Sequence, residues 1–245
     1  MKILGIDSST PQSASVALLE NQRILEQIND RTGPPYSAGI LSMVDRALSA
    51  AGMDLSGVDG FAATAGPGSF TGLRVGVGLL KGLALAAGRP VAGIDTLEAL
   101  AALTEPADYR ICAILDAKKK EVYTAFFKYE NGTLARLSPN RVGPPEDLID
   151  GITGPTAFIG SGLQTYGGLL EKKLGPLFMA HPKAKDMSLA ASAALLAYSR
   201  FREKKGHDLG SLKIDYVRRS EAEINSEKTN PKEEEVINGN RSFIA

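Results

Sequence analysis

The chain has 245 residues, 43% of them hydrophobic, with 28 Lys+Arg balanced by 28 Asp+Glu, ample for a buried core in one large domain or two small ones. A single cysteine, Cys112, excludes an internal disulfide and suits the cytoplasm. Asp7 interrupts the apolar start, so no signal peptide is expected; the longest apolar stretch, Val75–Ala87, carries Lys81 and is too short to cross a bilayer, so no membrane partner is expected.

Three short β runs open the chain at Lys2–Asp7, Ser13–Leu19 and Arg23–Ile28, read as an antiparallel meander. A helix is predicted over Ser37–Ala51, its apolar face made by Ile40, Val44, Leu48 and neighbours, with Gly52 as its stop. The strand Val58–Thr64 then runs into Gly66-Pro67-Gly68-Ser69-Phe70-Thr71-Gly72-Leu73-Arg74-Val75-Gly76. This is a tight turn feeding a helix over Phe70–Ala87, with Ser69 or Thr71 as the N-cap. Such a turn at a helix N-terminus suits a phosphate or carboxylate, and equally a plain βα connection. The helix holds Gly72, Gly76, Gly78 and Gly82. Each interior glycine costs about 0.8–1 kcal/mol relative to alanine, so close backbone packing must offset them. Leu73, Val77, Leu80 and Ala84 form an apolar stripe, and the glycine pairs are read as a separate stripe that accepts a second helix, internal or from a partner.

A short strand Val91–Ile94 and a helix capped by Asp95 or Thr96 follow, and then the pattern restarts. Arg110–Asp116 is a strand ending in Asp, as Lys2–Asp7 is; Glu121–Tyr129 is a second strand, with a hairpin turn at Asn131-Gly132. Helices near Pro145–Asp150, Leu163–Lys173 and Ser188–Lys205 alternate with a strand Ala157–Ile159. Two related α/β halves are therefore expected: 1–106 and 107–222, the last helix free to pack back on the first half, with a polar tail over 223–245. Charge is segregated: residues 108–222 carry 18 Lys+Arg against 13 Asp+Glu, residues 1–107 carry 7 against 10. Lys118-Lys119-Lys120, Lys172-Lys173, Lys204-Lys205 or Arg218-Arg219 suit RNA phosphates or ordinary solvated turns.

Gly5-Ile6-Asp7-Ser8-Ser9-Thr10, the Gly66–Gly76 run, Asp116-Ala117-Lys118 with Glu121-Val122-Tyr123, and Asp215-Tyr216-Val217-Arg218 together resemble the bacterial TsaB (YeaZ-like) family over nearly all of residues 1–222. The Gly66–Gly76 run is the specific part of the likeness. The resemblance implies the actin-like ATPase (ASKHA, ribonuclease H-like) α/β fold with two related lobes. It also implies a part in making threonylcarbamoyladenosine on tRNAs that read codons beginning with A. In that system a TsaD paralogue carries the metal and the transfer, TsaB is its required non-catalytic partner, and TsaE supplies an ATPase. A homodimer in isolation, and contact with tRNA only through the complex, belong to the same expectation.

The expected partner face comprises Ile40, Val44, Leu48, Phe70, Gly72, Leu73, Gly76, Gly78 and Leu79. A weaker nucleotide-binding set is Asp7, Ser9, Thr10 and Asp116: Asp7 to organise Mg²⁺ through water, the hydroxyls to meet phosphate. No cofactor of the chain's own is expected, ATP and Mg²⁺ entering through the complex. The second phosphate loop of active relatives is glycine-rich, whereas here Asp116 is followed by Ala117-Lys118-Lys119-Lys120. Gly160-Ser161-Gly162 suits an adenosine or a simple βα turn. The two histidines, His181 and His207, are too far apart to form the HxxxH metal pair of active relatives. The first helix opens with Tyr36-Ser37-Ala38-Gly39 in place of the charged, His-led start of many relatives. The rival reading is a small-molecule kinase or ATPase of the actin-like superfamily.

Overall fold

A computed structural model describes residues 1–11, 13–30, 36–180, 187–203, 205–206 and 209–218. His181, His207 and the tail 223–245 lie outside the described residues, as do the side chains of 36–38. The first half builds β1 (Lys2–Thr10), β2 (Ser13–Glu20), β3 (Arg23–Asp30), α1 (Tyr36–Ala50), β4 (Gly60–Thr64), α2 (Phe70–Ala87), β5 (Val91–Ile94) and α3 (Thr96–Ala101). The second builds β6 (Arg110–Lys118), β7 (Glu121–Glu130), β8 (Thr133–Arg136), β9 (Arg141–Gly143), α4 (Pro145–Ile149), β10 (Thr156–Ile159), α5 (Gly162–Leu174), β11 (Phe178–Ala180) and α6 (Leu189–Arg202).

The restart is real at the level of topology. One sheet has the order β3-β2-β1-β4-β5 and the other β8-β7-β6-β10-β11, with β9 also pairing β7. In each, the opening strand pairs antiparallel with the next and parallel with the strand that follows an intervening helix. Both opening hairpins break register just after an aspartate, between Asp7 and Thr10 in one and between Asp116 and Lys118 in the other. This is a mixed α/β fold of two related lobes, as the sequence implies.

The third helices are exchanged. α3 packs on β6 and β7, while α6 packs on β1, β2 and β4 of the first sheet. Leu97, Leu100 and Ala101 join the second lobe's core beside Ile111, Ala113 and Phe127. Ala190, Ala191, Ala193, Ala194 and Ala197 join the first lobe's core beside Ile3, Ala62 and Ile94. The alanine face lets α6 come close: a Cβ on Gly5 would stand 2.2 Å from the Ala190 carbonyl oxygen. Between chain halves and spatial lobes, then, the match is incomplete, because each half supplies one helix to the other.

α2 has the bounds its glycine turn and spacing indicate. Ser69 caps it, its Oγ accepting from the Gly72 N–H at 3.3 Å, and Gly88 ends it at φ +63°. By length and composition alone α2 is apolar enough to cross a membrane, but it is the crossover between β4 and β5, packed on β1 and β4. Tight turns elsewhere use residues that tolerate the left-handed region: Asn21 (φ 50°) between β2 and β3, Asn131 and Gly132 (φ 50° and 77°) between β7 and β8. The β6–β7 turn does not. Lys118, Lys119 and Lys120 sit there at φ 61°, 54° and 63°, a conformation costing roughly 1–2 kcal/mol per residue with a Cβ.

Candidate functional site

The carboxyl ends of β1, β4 and β5 meet the start of α2, the kind of strand-end crevice where open α/β sheets hold ligands. Asp7 is buried in β1 where its pairing with β2 breaks register, three residues before the strand ends at Thr10. Its Oδ1 accepts from the Ser9 N–H at 3.1 Å, the Ser9 hydroxyl at 2.6 Å and the Thr64 hydroxyl at 2.7 Å. Burial pushes its carboxyl above the ordinary carboxylate range, and those three hydrogen bonds pull it partly back.

The hydroxyls beside it are all engaged within the chain. Ser8 Oγ donates to the Gly72 carbonyl at 2.8 Å, and Thr10 Oγ1 lies 2.7 Å from Ser13 Oγ. The start of α2 is pressed onto the same segment, the Ser69 N–H donating to the Ser9 carbonyl at 2.7 Å. A Cβ on Gly72 would stand 1.9 Å from Ser8 O, one on Gly68 2.4 Å from Ser9 O, and one on Gly76 2.3 Å from Ser8 Oγ. The glycine turn is therefore spent on closing its own helix over β1. Ser9 and Thr10, expected to meet phosphate, face protein atoms instead.

The matching aspartate of the second lobe is more open. Asp116 Oδ1 accepts from the Lys118 N–H at 2.7 Å, and its Oδ2 pairs with Lys118 Nζ at 3.1 Å. The turn Gly160-Ser161-Gly162 packs on β6: a Cβ on Gly160 would stand 2.1 Å from Ile114 O and one on Gly162 2.6 Å from Ile114 Cγ1. Among the described residues no group of three or more His, Cys, Asp or Glu is arranged to hold a metal ion.

The two most distant motifs meet. Residues 212–218 run from the first lobe to the second as a strap. Leu212 packs in the first core beside Gly93. The Asp215 N–H donates to Ala65 O at 2.7 Å, and Gly66, at φ +119°, has the Asp215 carbonyl where a Cβ would go. Tyr216 stacks on Phe70, ring centroids 5.1 Å apart, and accepts from Arg74 Nε at 3.0 Å. Val217 packs in the second core, and Arg218 donates to Ala117 O at 3.0 Å and pairs with Glu121. A polar knot beside it ties the lobes again: Arg136 pairs with Asp95 at 2.8 Å, and Asn140 donates to both Asp95 and Asp215. Tyr216→Ala is expected to cost roughly 1–2 kcal/mol, from the lost stack and the lost Arg74 contact, read as a lower urea midpoint with an unchanged far-UV spectrum.

The expected partner face needs correction. Ile40, Val44, Leu48, Gly72, Leu73 and Gly76 are buried against the chain's own sheet and helices. The reason is angular: Gly76 lies three residues after Leu73 and four before Leu80, and Gly72 four before Gly76, so all share the sheet-facing side. Leu79 is half-buried and Phe70 is half-buried under Tyr216, while Gly78 is exposed. Gly78 and Gly82, with nothing within 4 Å of a Cβ on either, face outward. Leu85 of α2 (71% exposed) and Leu41 of α1 (49%) are also exposed: Leu85 falls outside the apolar stripe expected for α2, whereas Leu41, expected on the apolar face of α1 beside Ile40 and Val44, points to solvent instead.

Comparison with known proteins agrees with this layout. The family model for "TsaD: tRNA N6-adenosine threonylcarbamoyltransferase" matches residues 31–226. The chain is 30% identical over 233 residues to the tRNA threonylcarbamoyladenosine biosynthesis protein TsaB of Haemophilus influenzae, covering 89% of this chain and 92% of that one. This chain belongs to the TsaB family. It is also 33% identical to the TsaB of Escherichia coli over 69% of this chain and 75% of that one. Among solved structures, YeaZ from Pseudomonas aeruginosa superposes with a TM-score of 0.70 at 29% identity, covering 88% of this chain and 99% of that one. As a TsaB-family member the chain has its role in tRNA threonylcarbamoyladenosine biosynthesis.

Proposed function

We propose that the chain is the non-catalytic partner of a TsaD-type threonylcarbamoyl transferase, docked through the outward faces of α1 and α2. The observation that carries the non-catalytic part is the closed strand end: Ser8, Ser9 and Thr10 spend their hydroxyls internally under the first turn of α2. Family membership supports the transferase as partner. The docking face is Gly78, Gly82 and Leu85 of α2 with Leu41 of α1, small or apolar positions directed at solvent. Such a face is self-complementary, so in isolation it pairs two copies of the chain about a two-fold axis. The TsaE-type ATPase and ATP with Mg²⁺ join through the resulting complex, which is the unit that holds the tRNA, in the cytoplasm.

Gly78→Leu and Leu85→Glu test this directly. Both sites are solvent-facing, so both variants are expected to keep the wild-type melting temperature within a few degrees. Both should run as monomers by light scattering, lose association with the transferase, and fail to support threonylcarbamoyladenosine formation in a reconstituted reaction. Wild-type association by both variants would place the interface elsewhere. Modification proceeding without this chain would overturn the role itself.

A further inference from the structure

We infer that the Lys118–Lys120 hairpin is a contact for the RNA phosphate backbone. The observation is a contrast inside one molecule. At the β2–β3 and β7–β8 turns the left-handed positions are filled by Asn21 and by Asn131-Gly132, residues suited to that conformation. At the β6–β7 turn three successive lysines occupy it instead. All three are exposed, so packing does not call for lysine there. What the turn gains from them is charge, on the half of the chain that already carries the surplus, 18 Lys+Arg against 13 Asp+Glu over residues 108–222.

The hairpin is also held at its base. Arg218 donates to the Ala117 carbonyl at one side of the turn and pairs with Glu121 at the other. Asp116 Oδ1 accepts from the Lys118 N–H at 2.7 Å. Strained backbone persists where its surroundings fix it, and here they fix a three-lysine tip. Lysine meets phosphate as a point charge without reading sequence. The hairpin therefore contributes salt-dependent, sequence-independent affinity for the backbone of the tRNA being modified. This inference rests on the tRNA-modification role.

The test is fluorescence anisotropy of the full chain with a labelled, unmodified tRNA transcript at several KCl concentrations. The triple variant Lys118→Gln/Lys119→Gln/Lys120→Gln is expected to bind about tenfold or more weakly at low salt. Its plot of log affinity against log salt should be shallower by about 1–2, Lys118 Nζ being already paired with Asp116 at 3.1 Å. The triple Lys→Arg variant should keep both affinity and slope. Lys119→Asn/Lys120→Gly, which gives the turn residues suited to it, should raise the melting temperature while weakening tRNA binding. Unchanged affinity and slope in the Gln variant overturn the inference, as does wild-type protein without salt-dependent binding. Unchanged tRNA binding with lost transferase association overturns it in favour of an acidic protein surface. Loss of the modification role is read separately, from the reconstituted reaction with wild-type chain.

Discussion

Gly72→Ala is expected to destabilise the chain by about 3 kcal/mol or more, while Gly78→Ala, six residues along the same helix, stabilises it by about 0.5–1 kcal/mol. The new Cβ at position 72 would stand 1.9 Å from the Ser8 carbonyl oxygen, a backbone atom that cannot swing aside. α2 must lift from β1, and the Ser8 Oγ to Gly72 O bond at 2.8 Å goes with it. At position 78 a Cβ meets nothing within 4 Å, so only the helix propensity of alanine is felt. For a chain of this size the two changes correspond to a fall of roughly 6–12 °C and a rise of roughly 1–4 °C in melting temperature. Differential scanning calorimetry decides it, and a Gly72→Ala variant as stable as wild type would mean that α2 does not seat on β1 as described.

Asp7 gives the second large effect, and its two substitutions should diverge. Asp7→Ala leaves the Ser9 N–H, the Ser9 hydroxyl and the Thr64 hydroxyl without their shared acceptor. Buried donors without partners cost about 1–3 kcal/mol each and do not add fully, so a loss of about 3 kcal/mol is expected. Asp7→Asn keeps an acceptor oxygen and removes the charge. The folded-state pKa of Asp7 is raised by burial, so the carboxyl holds its proton more tightly folded than unfolded. Its contribution is therefore most favourable in acid and is lost as pH rises from the ordinary carboxylate value, about 4, through the raised folded value. Urea unfolding across that window should show a decline in wild type that Asp7→Asn lacks, with the variant at least as stable at neutral pH. A wild type more stable than Asp7→Asn by over about 1 kcal/mol at neutral pH would show that the ionised carboxylate is stabilised by its surroundings after all.

Local rules carried the sequence reading a long way. The glycine turn, with Ser69 as one of its two candidate caps, starts α2 at Phe70, the helix ends at Ala87 and β5 falls at Val91–Ile94 as expected. The second Asp-ended strand signals the second lobe, and the shared strand order confirms it. β9 and β11 are not legible, being short and at or near the sheet margin, where only three residues carry any pattern, and β8 is signalled only by the hairpin turn at Asn131-Gly132. The site was less legible than the fold. Spacing reveals stripes on a helix but not which stripe meets the sheet when neighbouring ones are small and apolar. Gly72 and Gly76 face inward because β1 ends beneath them, a fact of register rather than of composition. The union of Asp215–Arg218 with the Gly66–Arg74 turn spans 142 residues between Arg74 and Tyr216, and no local signal reports such a pairing.

The exchange of third helices has a consequence for synthesis on the ribosome. The first sheet is complete once β5 has emerged, yet the face carrying Ile3, Ala62 and Ile94 waits for α6, which begins at Leu189. At 5–20 residues per second the interval lasts roughly 5–20 s. Throughout it an apolar sheet face is uncovered on the nascent chain, a ready substrate for a ribosome-associated chaperone. The nascent first half thus stays unfinished until nearly the whole second half has been made.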